Sequence, residues 1–344
     1  MPSWREALLR NMSENGFTTA LLRWFAQYGR ELPWRGIGDP YAIWVSEVIL
    51  QQTRIEQGRD YWLRFMERFP TVEALAAASE DEVLRLWQGL GYYSRARNMH
   101  AAARQIVEMG GFPRSVKGLR ALKGVGDYTA AAVGSMAFGL PAAAVDGNVY
   151  RVLSRHYGID VPINTTRGKR TFEALAQELL PSGQASAFNQ AMMDFGATWC
   201  TPRLPRCIDC PVAGTCEALH TGRIDQLPVK EKKLKVKERR LSYIYVRNGG
   251  MTALHRRPAG DIWQGLWEPL LVEDGPLPDL GCPLTLVAGG VKHVLTHRIL
   301  LADFYLAEPA VRPVLPDGYV WINEREIADY ALPRLVEKLI NKLP

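Results

Sequence analysis

Four cysteines, Cys200, Cys207, Cys210 and Cys216, fall within seventeen residues in a C-x6-C-x2-C-x5-C pattern. Only one other cysteine, Cys282, occurs in the chain, so such crowding points to a metal centre. Disulfides are the competing chemistry, but a secreted disulfide framework spreads its cysteines through a short chain. Structural zinc sites usually present two short C-x2-4-C pairs, and only Cys207 and Cys210 form one. The unequal gaps favour the corners of a single 4Fe–4S cubane, with zinc as the alternative.

Two carboxylates sit in contrasting surroundings. Asp39-Pro40 places an N-cap before a proline at the first helical position, and the following Tyr41, Ile43, Trp44, Val45, Val48, Ile49 and Leu50 leave the helix almost no polar face. Glu47 lies inside that helix and shares a face with Gln51. An ionised carboxylate is costly there, so its pKa is expected to rise unless a distant Arg or Lys pairs with it. Asp146 occurs in Val145-Asp146-Gly147-Asn148-Val149, where Asn148 is read as the N-cap of a helix starting near Val149. The free amides and the helix dipole are expected to keep Asp146 ionised. Simple capping is its other reading. A carboxylic acid paired with a carboxylate suits cleavage of a glycosidic bond through an oxocarbenium-like transition state. Such a bond joins every nucleobase to its sugar.

These groups must be held by something. Leu122-Lys123-Gly124-Val125-Gly126-Asp127-Tyr128-Thr129 joins two expected helices, 116–122 and 128–138. Two glycines around a valine allow a tight turn whose amides are expected to point outward at a helix N-terminus, an anion site of the helix–hairpin–helix kind. An ordinary interhelical turn is the alternative. Helical spacing runs from Phe17 to about Ala218, so an all-α first domain over 1–225 is expected, with the hairpin at 116–138 and the cysteine loop at 200–216. Residues 226–239 read as a basic linker; between Lys230 and Arg240 there are seven basic residues and two acidic ones. Beyond it, β-like alternation at 241–246, 284–287, 298–306 and 319–322, and a terminal helix at 332–343, predict an α+β domain over 240–344.

The composition is that of a soluble globular protein: 344 residues, 47% hydrophobic, 23% charged. The net charge of +6 favours a polyanionic partner without requiring one. No secretory signal or membrane span is read in the sequence, so a cytoplasmic protein, in bacteria one associated with the nucleoid, and a monomer are expected.

Taken together, Leu32-Pro33-Trp34-Arg35, Ser46-Glu47-Val48-Ile49-Leu50-Gln51-Gln52-Thr53, Gly89-Leu90-Gly91-Tyr92-Tyr93, the hairpin, Asp146-Gly147-Asn148-Val149, Phe188-Asn189-Gln190-Ala191-Met192-Met193 and the four cysteines resemble the MutY-type adenine DNA glycosylase family of the helix–hairpin–helix superfamily. The resemblance covers nearly the whole chain. It implies removal of adenine mispaired with 8-oxoguanine or guanine in duplex DNA, after the adenine is flipped from the stack. Glu47 would then protonate the departing adenine and later activate water, and Asp146 would stabilise the sugar cation with Asn148 orienting it. Tyr128 occupies the hairpin position where lyase-competent relatives such as endonuclease III carry a nucleophilic lysine. A phenol forms no Schiff base, so base excision without strand cleavage is expected. Gln52 and Tyr92 would wedge beside the lesion, and Trp34, Arg35, Leu50 and Gln190 would line the adenine pocket. Gly124, Val125 and Gly126 would hold backbone phosphate, while the cysteine cluster would be structural and direct Arg203 and Arg206 towards phosphate.

The same resemblance makes the second domain Nudix-like and a reader of 8-oxoguanine, on Arg256-Arg257-Pro258, Trp263-Gln264-Gly265-Leu266-Trp267-Glu268 and Lys292-His293-Val294-Leu295-Thr296-His297. No R-E-x-x-E-E run is present, so pyrophosphate hydrolysis is not expected. Thr296 and His297 are the expected lesion contacts. Thr296 keeps the hydroxyl of the family's usual serine, while Leu295 replaces an aromatic. Two other readings stand beside this one: an endonuclease III-like glycosylase/lyase, and a non-catalytic DNA-binding protein on the same fold.

Overall fold

Helical spacing in the first two hundred residues is realised as a series of short helices in a computed structural model, which describes residues 16–231, 237–295 and 298–344. In chain order the α-helices are α1 (Gly16–Tyr28), α2 (Pro40–Leu50), α3 (Ile55–Arg68), α4 (Val72–Ala77), α5 (Glu80–Leu86), α6 (Ser94–Glu108), α7 (Val116–Arg120), α8 (Asp127–Phe138), α9 (Gly147–Tyr157), α10 (Thr166–Glu178), α11 (Ala185–Thr198) and α12 (Glu217–His220). The strands follow: β1 (Lys237–Asn248), β2 (Met251–Arg256), β3 (Trp267–Glu268), β4 (Leu270–Glu273), β5 (Leu284–Val294), β6 (Arg298–Ala307) and β7 (Tyr319–Asn323), with a last helix α13 (Arg334–Ile340). Among the described residues no helix is long and apolar enough to cross a membrane.

The chain divides into two compact units. One comprises the described parts of Met1–Ala76 and Ala101–Lys232, the other those of Ala77–His100 and Lys233–Pro344. Ala77–His100 therefore belongs with the C-terminal sheet, although its helical spacing reads as one with the flanking sequence.

In the first unit α2 forms as its cap dictates. Asp39 Oδ1 accepts from the Tyr41 amide at 2.9 Å, Pro40 opens the helix, and every residue from Tyr41 to Ile49 is buried. Side chains such as Ile43, Val45 and Ile49 each contribute roughly 1.5–3 kcal/mol on burial, enough to carry one polar intruder. Helices α1, α9 and α11 share a core of Leu21, Leu22, Phe25, Val152, Leu153, Phe188, Met192 and Phe195. Gly196 in α11 lets α9 approach closely, because a Cβ there would sit 2.6 Å from Asn148 Cβ.

The second unit is built on a mixed seven-stranded sheet with main order β3-β2-β1-β6-β5, β4 pairing with β1 and β7 with β2. The expected α+β class is therefore what forms. β1 and β6 run parallel from Lys237 opposite Arg298 to Val246 opposite Ala307. The β5–β6 pair is antiparallel and irregular between Leu286 and Val291. Tyr243, Phe304, Leu335 and Leu339 pack in the core between sheet and α13. Element boundaries differ from the sequence expectation, most clearly at β1 and α13. β1 begins at Lys237, inside the stretch read as linker, because Arg239 is held by Asp261 at 2.7 Å and by Glu273. Helix α13 starts only after Pro333, because the proline ring disfavours helical backbone at Leu332 before it. Thr296 and His297 lie outside the described residues.

Candidate active site

A cleft of about 1330 Å³ in the first unit gathers most of the residues singled out by sequence. Trp34, Arg35, Glu47, Leu50, Gln52, Gly126, Tyr128, Asp146, Asn148 and Gln190 all line it. The two carboxyl groups thus face one cavity. Tyr92 and the cysteines are not among its lining residues.

Glu47 is 7% exposed, and its Oε2 accepts a hydrogen bond from the Tyr128 hydroxyl at 2.8 Å. Burial raises its pKa from 4.5 to about 7; the Tyr128 hydrogen bond opposes the rise, and the Asp146 charge adds to it. Tyr128 also touches Met193 Sδ at 3.0 Å, so the phenol stands where α2, α8 and α11 converge. Arg35 opposes the rise only weakly, coming last among its causes. Among the described residues the hydrogen-bonded neighbour of Glu47 is the neutral phenol of Tyr128.

Asp146, not Asn148, is the N-cap of α9, a correction to the expected helix start. Asp146 Oδ1 accepts from the amides of Asn148 and Val149 at 2.8 Å each, and Oδ2 accepts from the Asn148 side chain at 2.8 Å. These donors and the helix start are the features expected to keep Asp146 ionised, but they are not the largest influence on it. Burial outweighs the donors and Arg151, so the pKa is raised. Nevertheless its oxygens accept three hydrogen bonds, whereas Glu47 accepts one from Tyr128, and an approaching cation would favour the charged form of Asp146. Asn148 is itself held: its Oδ1 accepts from Arg151 at 2.8 Å, and Arg151 donates onward to the carbonyls of Gly196 at 2.6 Å and Cys200 at 2.8 Å.

Behind the cleft-lining Arg30 and Arg35 stands a group that sequence reasoning missed. Asp194, completely buried, accepts from Arg30 Nε at 2.9 Å and from both terminal nitrogens of Arg35 at 2.8 Å. Burial pushes the Asp194 pKa up, but Arg35 and Arg30 outweigh it and hold it below the ordinary value. Arg35 therefore lines the cleft with its guanidinium already engaged. An acid set among Ala191, Met192, Met193 and Phe195 was the available signal. Replacing Asp194 with alanine strands two guanidiniums in a partly buried site and should cost about 3–5 kcal/mol of stability, read by chemical denaturation. A loss below 1 kcal/mol would refute this account of the wall.

Trp34 is buried and packs against Trp62 with centroids 5.6 Å apart. The Gln190 amide donates to the Ser186 hydroxyl at 3.0 Å. Gln52 (φ 58°) and Tyr92 (φ 48°) both adopt left-handed backbone, an uncommon conformation for such residues and one that concentrates at functional sites. In the hairpin, Gly124 is left-handed and Gly126 caps α8, but Val125 is buried and its amide donates to the Leu122 carbonyl at 3.1 Å. That amide closes the turn instead of pointing outward.

Cys200, Cys207, Cys210 and Cys216 come together around a cavity of about 30 Å³ that Arg155 and His156 also line. None of the five cysteines forms a disulfide. Among the described residues no group of three or more ligand side chains could hold a single metal ion. One zinc ion needs four thiolates within about 2.3 Å of a point, whereas a polynuclear cluster accepts sulfurs set further apart. The thiol donor set and the small cavity fit a cluster. Arg155 braces the loop, donating to the carbonyls of Thr201 at 2.7 Å and Pro202 at 3.1 Å and to Cys200 Sγ at 3.5 Å. Arg206 lies over the Trp199 ring at 4.9 Å, and Arg203 is exposed.

Comparison with known proteins places this architecture. Residues 45–181 match the HhH-GPD superfamily base excision DNA repair protein model, and residues 242–342 match the NUDIX domain model. A thermostable thymine-DNA glycosylase superposes with a TM-score of 0.56 at 32% identity, covering 60% of this chain and 95% of that chain. Endonuclease III in a non-covalent DNA complex gives 0.52 at 25% identity, covering 60% of this chain and 94% of that one. The helical unit thus has the helix–hairpin–helix glycosylase fold. The adenine DNA glycosylase of Mus musculus is 43% identical over 398 residues, covering 94% of this chain and 77% of its own length. That of Buchnera aphidicola (strain APS) is 31% identical over 344 residues, 96% of this chain and 98% of its own. The human enzyme is 43% identical over 232 residues, 64% of this chain and only 42% of its own length. The chain belongs to the adenine DNA glycosylase family, whose members are base excision repair enzymes.

Proposed function

We propose that the protein hydrolyses the N-glycosidic bond of adenine mispaired with 8-oxoguanine or guanine in duplex DNA. The observation that carries this reading is the position of Glu47: buried, raised to about pKa 7, and facing the same cleft as Asp146. Near neutral pH such an acid is a competent proton donor. Glu47 gives its proton to a ring nitrogen of the flipped adenine as the bond to C1′ breaks and its electron pair leaves with the base. Asp146 stabilises the sugar cation, with Asn148 fixed beside it by Arg151. Water then adds to C1′ and returns a proton to Glu47. Trp34, Leu50 and Gln190 shape the pocket, Gln52 and Tyr92 wedge the opened duplex, and Gly124 and Gly126 approach phosphate. Cys200, Cys207, Cys210 and Cys216 would hold one 4Fe–4S cluster, whose contribution is to tie the 200–216 loop together. The second unit reads the partner base, Thr296 and His297 being the contacts proposed. The protein acts as a monomer in the cytoplasm.

Single-turnover adenine release from duplexes carrying each base opposite adenine tests this. Release should be fastest opposite 8-oxoguanine and guanine, with no borohydride-trapped protein–DNA adduct. Equal release opposite thymine would overturn the proposed specificity, and efficient trapping would revive the glycosylase/lyase reading.

A further inference from the structure

Tyr92 sits in a segment that the chain builds into the sheet-containing unit. The residue is 50% exposed on a left-handed backbone, and the Arg95 guanidinium lies 5.5 Å from its ring and 5.1 Å from the Trp87 ring. An exposed aromatic braced in this way is a stacking platform for a base. At its start and along α6 the segment is held by the strand and turn around Arg256 and Trp263–Leu266. Arg256 pairs with Glu80 at 3.1 Å and Asp81 at 2.9 Å at the start of α5. Arg97 donates to the Gln264 carbonyl. Gly265 (φ +78°) lies against the same helix: a Cβ there would be 3.4 Å from Glu80 Oε1 and 3.5 Å from Leu84 Cδ1. Further along, Arg85 reaches Asp329 at 2.9 Å, Gln88 binds Glu337, and the Tyr93 hydroxyl donates to the Leu332 carbonyl at 3.4 Å.

We infer that Arg256 and the Trp263–Leu266 turn are positioning residues that seat Ala77–His100 and thereby aim Tyr92 at the duplex, so that the partner-base-reading unit also carries the wedge. This rests on the proposed function and deepens it. The two jobs would then share one body, and recognition of the partner base would set the wedge directly.

A double-mutant cycle on the full chain tests it. The probe is a duplex holding a non-cleavable 2′-fluoro-adenine mispair flanked by 2-aminopurine, whose fluorescence rises when its neighbour is unstacked. Arg256→Glu faces Glu80 and Asp81 with a like charge. It should lower affinity for this duplex by about tenfold and remove most of the fluorescence rise, as Tyr92→Ala does. The two changes together should be no worse than Tyr92→Ala alone, and Glu80→Lys with Asp81→Lys should restore the Arg256→Glu protein. Multiplying losses, an unchanged Arg256→Glu response, or no rescue would overturn the inference. So would a wild-type protein that excises adenine without any fluorescence rise. A wild-type protein that excises no adenine from cleavable duplex overturns the proposed function instead, and the cycle remains readable in binding.

Discussion

Glu47→Gln should slow single-turnover adenine release by about 10²–10⁴-fold while leaving affinity for mispaired duplex within a few-fold of wild type. Glutamine keeps the shape of the side chain and can still accept from Tyr128, but it has no acidic proton to give. Because burial raises the Glu47 pKa to about 7, the wild-type rate should be flat at pH 5–6 and fall about tenfold per pH unit above 7. The same shift acts on folding. A carboxyl raised in the folded state stabilises the protein fully below its unfolded pKa of 4.5, and that stability is lost as pH climbs through about 7. The loss should approach about 3 kcal/mol for this fully buried group and should be absent in Glu47→Gln. A variant that releases adenine at the wild-type rate would relocate the acid.

Asp146→Asn should reduce release by about 10²–10³-fold, the scale of removing one preorganised charge from a developing cation. Asparagine retains an oxygen that can accept from Asn148 and Val149, so α9 keeps a cap and the melting temperature should change little. Retained binding with lost release marks the carboxylate as chemical. If binding and melting temperature collapse together, its role is to hold the helix start.

The sequence made some of this legible and hid the rest for definable reasons. Glu47 stood out because local spacing alone showed an acid in a helix without a polar face, and burial of a helix follows from such spacing. Asp146 was visible as a residue, but the sign of its pKa shift was not. Capping donors are local, whereas the burial that overrides them comes from distant chain. Asp194 escaped notice because its partners Arg30 and Arg35 lie 164 and 159 residues away. Strands β2, β3 and β4 were missed since runs of six, two and four residues carry too few alternations. The membership of Ala77–His100 in the sheet unit rests on scattered polar contacts such as Arg85–Asp329, which leave no periodic trace.

The Arg30–Asp194–Arg35 cluster has one more effect. Two guanidiniums share a single carboxylate, so the group keeps a surplus positive charge fixed in the cleft wall. A phosphodiester that reached these two guanidiniums would meet charges already fixed in place, with no flexible lysine to order, and would release a condensed counterion on docking. Such release makes affinity fall as ionic strength rises.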